Sequence, residues 1–391
     1  MKENITMLSL QKFLENRAIE DLKKDPFNLI ISAKNNLVLF KYNQFNSDFS
    51  NSIVRESRGI ILENGTWKIV CNPFFKFWNY GESHAFNIDL EKSYIIEKVD
   101  GSIIKVYFYD EKWRIATNGT IDAKDATTTD KIPFEELFFD IISREDFNIL
   151  TSQFEQDKTY MFELVHSSAR IVVDYSKKEL VFIGLKENET SKDFNIFYKS
   201  IRKKMESVFN GLPIRFPKLF DLKDVNDIME LSNIADKENL NGNDFEGFVV
   251  SQFEEDEVIG RVKIKSPKYI QLHHVATGEG ITNNLINVLM NNEMKEFEVY
   301  LNKLPDKVRE EYKSLKEKYS NLVDYLLKEG EIYRGMSKTM SRKELAFAVL
   351  ENVNKSLTGI IFRMVDNFEL DPKSVLGEMG SKKVKFLLMK K

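Results

Sequence analysis

The sequence predicts an α+β protein in two parts, a strand-rich region to residue 275 and an all-α region over 276–391. Two observations predict this. From about residue 28 to 275, short apolar runs are separated by Asn, Asp and Gly turns, which is the grammar of strands. After His274 that grammar changes. Val308, Tyr312, Leu315, Tyr319, Leu322 and Leu326 recur at helical spacing, and no strand alternation competes.

The elements follow in order. Leu10, Phe13, Leu14, Ile19 and Leu22 make a helical stripe over residues 8–22. Gly59 to Glu63 and Trp67 to Val70 flank Asn64-Gly65, a two-residue hairpin signal, because both central positions tolerate positive φ. Ile103 to Tyr109 pairs with Trp113 to Ala116. Tyr160 to Val165, Ile171 to Tyr175 and Leu180 to Leu185 read as three strands, and Phe248 to Phe253 with Val258 to Ile264 as a further pair. Helices interrupt near 132–150, 192–209 and 222–235. In the C-terminal part, Ser341 and Glu344 form a capping box before Leu345, Phe347, Val349 and Leu350. Ala276-Thr277-Gly278-Glu279-Gly280 is the expected hinge.

Length and composition narrow the function classes. A chain of 391 residues suffices for two or three full cores. Hydrophobic residues at 42% and charged ones at 30% place it among soluble globular proteins. No apolar run is long enough to span a bilayer, and the start of the chain lacks a signal-peptide core, so no membrane partner is expected. A single cysteine, Cys71, excludes an internal disulfide and a cysteine-rich zinc site. It fits a cytoplasmic location, which would be the host cytoplasm for a phage-encoded chain. Four histidines, two of them adjacent at His273-His274, give no metal motif. The net charge of −4 argues against nonspecific coating of nucleic acid, yet allows a local basic groove. Lys382, Lys383, Lys385, Lys390 and Lys391 are either a solvated tail or a phosphate-contacting patch.

The most informative residue is Lys98, in Glu97-Lys98-Val99-Asp100-Gly101-Ser102. It stands between an apolar strand and a glycine turn, a place for a covalent nucleophile. An amine must be neutral to attack, and a free lysine titrates about three units above neutrality. Burial beside other cations lowers that barrier. Five further elements share the strand-rich region: Arg58, Lys76, Glu163, Glu246, and the pair Lys263 and Lys265. The last two alternate, so they share one face of a strand. Each alone has an ordinary explanation: a surface ion pair, a snorkelling lysine, a solvated strand end. Their joint occurrence in this order is what carries weight.

Those residues carry a resemblance. Lys98-Val99-Asp100-Gly101, Phe162-Glu163, Glu246-Gly247 and Lys263-Ile264-Lys265 resemble motifs I, III, IV and V of the covalent nucleotidyltransferases. Within that superfamily the chain is most similar to the RNA ligase 1 family, phage T4 type. Arg58-Gly59-Ile60-Ile61, Pro73 to Asn79, Arg170 to Tyr175 and Lys186 to Thr190 are similar to its specific signatures. Tyr42, in Lys41-Tyr42-Asn43, matches a nucleotide-site tyrosine. One departure stands out. Asn118-Gly119-Thr120 occupies a place where the family often has a basic residue.

The resemblance implies a fold and a reaction. Residues 1–275 would form an adenylyltransferase domain with ATP-grasp-like antiparallel sheets and helices. Residues 276–391 would form an all-helical domain for RNA specificity. The reaction would be ATP-dependent joining of RNA 5′-phosphate and 3′-hydroxyl ends through lysyl-AMP and RNA-adenylate, in the repair of broken tRNA or other RNA. Lys98 would be the nucleophile, and Lys263 and Lys265 would neutralise the α-phosphate. Arg58 and Lys76 would hold the outer phosphates. Tyr42, Glu97 and Gly101 would complete the nucleotide site. Asp100, Glu163 and Glu246 would hold Mg²⁺, or Mn²⁺ in its place, through water, unless Glu163 binds ribose instead. A monomer is expected. Two other classes are weighed beside this one. DNA ligases and capping guanylyltransferases continue after motif V into a β-rich barrel, whereas this chain continues as helices. A non-catalytic RNA-end-binding protein on the same scaffold would have lost a charged residue of the set.

Overall fold

The computed structural model describes residues 7–44, 46–128, 130–169, 177–221, 228, 230–240, 245–266, 269, 281–290, 294, 297–298, 301, 306–367 and 370–389. The chain forms two compact units, Met1–Ile270 and Gln271–Lys391.

In the first unit the strands are β1 (Ile30–Lys34), β2 (Leu37–Lys41), β3 (Arg58–Glu63), β4 (Ile69–Cys71), β5 (Trp78–Asn79), β6 (Ser93–Glu97), β7 (Ser102–Tyr109) and β8 (Lys112–Thr117), then β9 (Lys158–Val165), β10 (Glu179–Glu187), β11 (Ile214–Arg215), β12 (Leu219–Phe220), β13 (Gly247–Glu254) and β14 (Glu257–Lys265). They make three sheets: β1-β2-β3-β4, β11-β10-β9-β7-β8 and β12-β6-β13-β14-β5. The expected antiparallel pairing holds except at two short edges, where β11 joins β10 and β5 joins β14 in parallel over two residues each.

The helices expected near 132–150, 192–209 and 222–235 are described as Phe134–Ile141 with Arg144–Ser152, Lys199–Val208 and Glu230–Leu240; residues 222–227 lie outside the described residues. In α1 (Ser9–Asn16), Leu10 and Leu14 are buried. The stripe over 8–22 is broken, because Arg17 is extended and Ile19–Lys23 is a 3-10 turn. The short α2 (Ser52–Glu56) leads into β3. Helices α3 (Phe134–Ile141), α4 (Arg144–Ser152) and α5 (Lys199–Val208) bury Leu137, Phe138, Phe147, Leu150 and Met205 in one core with Tyr160, Phe162 and Phe182 of β9 and β10. Helix α6 (Glu230–Leu240) places Leu231 and Ala235 in a core with Phe248, Val250, Val262 and Ile264.

The β3–β4 connection departs from expectation. Asn64-Gly65 is not a two-residue hairpin turn. The Glu63 N–H donates to the Lys68 carbonyl at 2.9 Å, so Asn64 to Trp67 form a four-residue loop in which Trp67 takes φ +54°. Gly65 still supplies positive φ, at +86°. The Trp67 ring packs edge-on against Phe40, which draws residue 67 out of the strand. Ile171 to Tyr175 lie outside the described residues, as does the 276–280 hinge.

The second unit is helical in its described residues: α7 (Ile281–Met290), α8 (Asp306–Met336), α9 (Arg342–Asn352), α10 (Thr358–Asp366), α11 (Pro372–Glu378) and α12 (Ser381–Met389). Tyr312, Leu315, Tyr319, Val323 and Leu326 form the buried stripe of α8. Val323, not Leu322, fills the fourth place of that stripe, since Leu322 is only half-buried. The Ser341–Glu344 capping box starts α9 as the sequence predicts.

Candidate active site

Residues Lys98 to Gly101 link β6 of one five-stranded sheet to β7 of the other. The register fixes this link. Phe248 of β13 pairs with Glu97, and the Lys98 N–H donates to the Gly247 carbonyl at 2.8 Å. At the other end, Ser102 and Ile103 pair with Leu164 and Glu163 of β9. Gly101 is required by close approach: a Cβ there would lie 2.5 Å from the Leu164 carbonyl oxygen. Sequence neighbours are thus turned into the seam where the two sheets meet, with Val99, Val165 and Val181 packed behind.

A cavity of about 280 Å³ opens at this seam. Arg58, Glu97, Lys98, Gly101, Glu163 and Lys263 line it. Its apolar walls include Phe74, Phe77, Ile183 and Val249, a size and composition that suit a small planar ligand. The Lys98 Nζ lies 2.7 Å from Glu246 Oε2, and Lys265 Nζ lies 3.9 Å from the other oxygen. Glu246 is 4% exposed, and its carboxyl is held above the usual range by burial, against the pull of Lys98 and Lys265. Burial also pushes Glu163 up to about 7; Lys98 and Arg58 oppose the rise, and Glu246 and Asp100 add to it. Asp100 is buried and accepts a hydrogen bond from the Tyr269 hydroxyl at 2.8 Å.

The three carboxylates therefore sense one another's charge beside a lysine. Among the described residues no three acidic, histidine or cysteine side chains converge to chelate an ion directly. The donor set that does gather there, carboxylates whose charges are felt at one another, is of the oxygen type that Mg²⁺ takes.

The cations are seated on aromatic faces. Arg58 lies over Phe77 at 5.6 Å and Lys263 over the same ring at 5.3 Å. Arg58 Nη1 is buried and, among the described residues, has no hydrogen-bond partner, so this donor in the cavity wall is open to a ligand. Lys76 Nζ lies 5.3 Å from the Tyr42 ring and 5.1 Å from Phe49. Tyr42 and Lys76 thus sit together, outside the described lining of the cavity. Glu97 lines it, with Arg215 2.7 Å from its carboxylate. Arg170 to Tyr175 lie outside the described residues. Lys186 and Asn188 of the quoted Lys186-to-Thr190 segment are buried and hold framework contacts: Lys186 to the Pro73 carbonyl, and Asn188 to the Val70 carbonyl.

Sequence reasoning missed two residues here. Arg261 lines the cavity and pairs with Asp193, one contact being 2.9 Å. Its signal was available, because residues 261, 263 and 265 share one strand face. Tyr269 orients Asp100 from a distant part of the chain, and no local pattern marks it.

The family described as RNA ligase matches residues 56–269, more than half of the 391. The chain is 26% identical over 378 residues to an RNA ligase of Rhodothermus phage RM378, covering 84% of this chain and 83% of that one. It is 27% identical over 310 residues to a putative bifunctional polynucleotide kinase/RNA ligase of Autographa californica nuclear polyhedrosis virus, covering 74% of this chain and 41% of that protein. Among solved structures, an archaeal ATP-dependent RNA ligase is similar with a TM-score of 0.45 and 11% identity over 75% of this chain and 73% of that one.

Proposed function

We propose, from the premise that the chain belongs to the phage-T4-type RNA ligase family, that it joins RNA 5′-phosphate and 3′-hydroxyl ends with ATP through a lysyl-AMP at Lys98. Membership makes the protein an RNA ligase. The observation that carries the finer reading is the Lys98 amine in a cavity it shares with Arg58 and Lys263, with the Glu246 carboxylate 2.7 Å away.

The chemistry follows from that placement. The neutral Lys98 amine attacks the α-phosphorus of ATP; a P–N bond forms and pyrophosphate leaves. Glu246 is within reach of the proton the amine gives up. Lys263 and Lys265 neutralise charge at the α-phosphate, and Arg58 and Lys76 serve the outer phosphates, Arg58 with its fork of donors. Phosphoryl transfer needs little more than such positioning and charge. Asp100, Glu163 and Glu246 would hold a hydrated Mg²⁺ or Mn²⁺, which neutralises phosphate charge. The AMP then passes to an RNA 5′-phosphate, and a 3′-hydroxyl displaces it.

Residues 1–275 carry this chemistry, and 276–391 supply RNA specificity, with broken tRNA as substrate and a monomer as the working unit. No helix among the described residues is long and apolar enough to cross a membrane. A cytoplasmic site of action fits the substrate. After β14 the described residues continue as helices, not as the β-barrel of a DNA ligase or capping enzyme. The test is incubation with labelled ATP or labelled GTP plus Mg²⁺, followed by denaturation. A label from ATP alone is expected. A label from GTP would select capping, and none would select a non-catalytic RNA-end-binding protein.

A further inference from the structure

The Asn118-Gly119 turn brings no charge of its own, yet a lysine from another strand reaches it. Asn118 is pinned on Gly59. That glycine has φ +82°, and a Cβ there would lie 2.4 Å from the Asn118 carbonyl and 2.8 Å from its Oδ1. Only a glycine permits this approach. The Asn118 Oδ1 is buried and has no hydrogen-bond partner among the described residues. The turn is closed by a Thr117–Thr120 hydroxyl contact of 2.8 Å. A Cβ on Gly119 would lie 3.6 Å from the Nζ of Lys41. Lys41 ends β2 and pairs across the ladder with Arg58 of β3, so the two side chains leave the same face.

Among the described residues, Lys41 and Arg58 have no ion-pair partner. A third cation lies behind them. Lys105 is fully buried and donates to the Gly59 carbonyl. Burial, aided by Arg58 and Lys41, lowers its pKa to about 8. Three cations without a carboxylate among them are costly in a resting protein. They make sense where a polyanion arrives. Arg58 lines the Lys98 cavity, while Lys41 stands beyond it at the turn.

We propose that Lys41 binds the outer phosphates of ATP beside Arg58, supplying from β2 the positive charge that Asn118 does not supply from the turn. The assignment rests on the ligase reading above and adds a residue that the family motifs do not mark. It places Lys41 in substrate positioning for the first chemical step, where pyrophosphate leaves.

The test uses the full-length protein and measures covalent label against ATP concentration. Lys41→Ala should raise the KM for ATP by about tenfold to a hundredfold, the range for a charge-assisted contact. Sealing of pre-adenylylated RNA should fall far less, because that step has no outer phosphates to hold. Lys41→Arg should stay near the wild type. The double variant Lys41→Ala/Asn118→Lys should recover much of the lost ATP affinity, since it restores a cation at the same turn. An unchanged KM in Lys41→Ala would overturn the assignment. So would equal losses in the ATP step and in sealing, which would put Lys41 on an RNA phosphate or in the framework. An absence of label on the wild type would instead overturn the ligase reading, and that result is read before any variant is made.

Discussion

Replacing Lys98 with Met should remove both the nucleophile and the partner of a buried carboxylate, and the second effect can be sized. The Lys98–Glu246 contact is 2.7 Å, and at an effective dielectric of 20 two such charges attract by about 6 kcal/mol before desolvation is subtracted. Breaking such a pair by removing one member costs about 3–5 kcal/mol. Lys98 is 23% exposed, which points to the lower end, about 3 kcal/mol. Lys265 remains, but at 3.9 Å its hold is looser. The cost must depend on pH. Glu246 already has a raised pKa in the fold, and losing Lys98 raises it further. A carboxyl with a raised folded pKa binds more protons folded than unfolded, so stability falls as pH climbs from about 4.3 towards the folded value. Near pH 5 the folded variant can protonate Glu246 for about 1 kcal/mol. By pH 8 the full cost of about 3 kcal/mol should be reached. The assay is urea denaturation of wild type and Lys98→Met at pH 5 and pH 8, beside the labelling reaction. Adding Glu246→Gln should restore most of the stability and none of the label. A variant that keeps its label would remove Lys98 as nucleophile. A pH-independent cost, or no recovery on adding Glu246→Gln, would refute the electrostatic account.

Two other outcomes follow from the same geometry. Glu163 titrates at about 7, so it is largely neutral at pH 6 and charged at pH 8. Lysyl-AMP formation should rise across that interval, and Glu163→Gln should flatten the rise; a parallel profile in the variant would remove Glu163 from the pH dependence. The same raised value means that charging Glu163 lowers stability by up to about 1.4 kcal/mol per pH unit as pH rises towards 7, a slope that should vanish in Glu163→Gln. Ending the chain near Gly280 should leave lysyl-AMP formation largely intact, because the charged cavity lies wholly within Met1–Ile270. Joining of a nicked tRNA anticodon loop should then weaken more than joining of unstructured RNA, and equal loss on both would mean the helices only support the catalytic part.

How much of this was legible in the sequence depends on the range of the interaction. The strands around Lys98 announce themselves as short apolar runs between turn residues, and β9, β10, β13 and β14 stand within about two residues of where the pattern puts them. The Ser341–Glu344 cap was readable because all its atoms lie within four residues. The β3–β4 turn was misread because Asn-Gly is a local signal, whereas the packing of Trp67 on Phe40 is not. The site divides the same way. Lys98, Asp100 and Gly101 are adjacent in sequence and could be picked out together. That Glu246 would pair with Lys98 depends on the β6–β13 register, which no short window contains.

The missed residues show what kind of function hides from motifs. Tyr269 reaches Asp100 across 169 positions, where its hydroxyl fixes a carboxylate oxygen at 2.8 Å while its ring lies 5.9 Å from the Lys265 Nζ. Arg261 is held by Asp193 on one side and lies over Phe74 at 4.3 Å on the other, so its place in the cavity wall depends on two partners distant in sequence. Lys41 is next to a residue the motifs mark, Tyr42, yet its relevance comes from the cross-strand Arg58 and from a turn more than seventy positions away. A motif records which residue types recur at one position. A charge requirement is indifferent to which strand delivers it, so an ammonium lost from one element can be regained from another without leaving a mark in either local pattern. The Asn118 position, read alone, looks like a missing contact. With the Lys41 amine beside Gly119, the turn is served by a cation from β2, and the Lys41→Ala/Asn118→Lys exchange tests whether a cation on the turn itself can serve in its place.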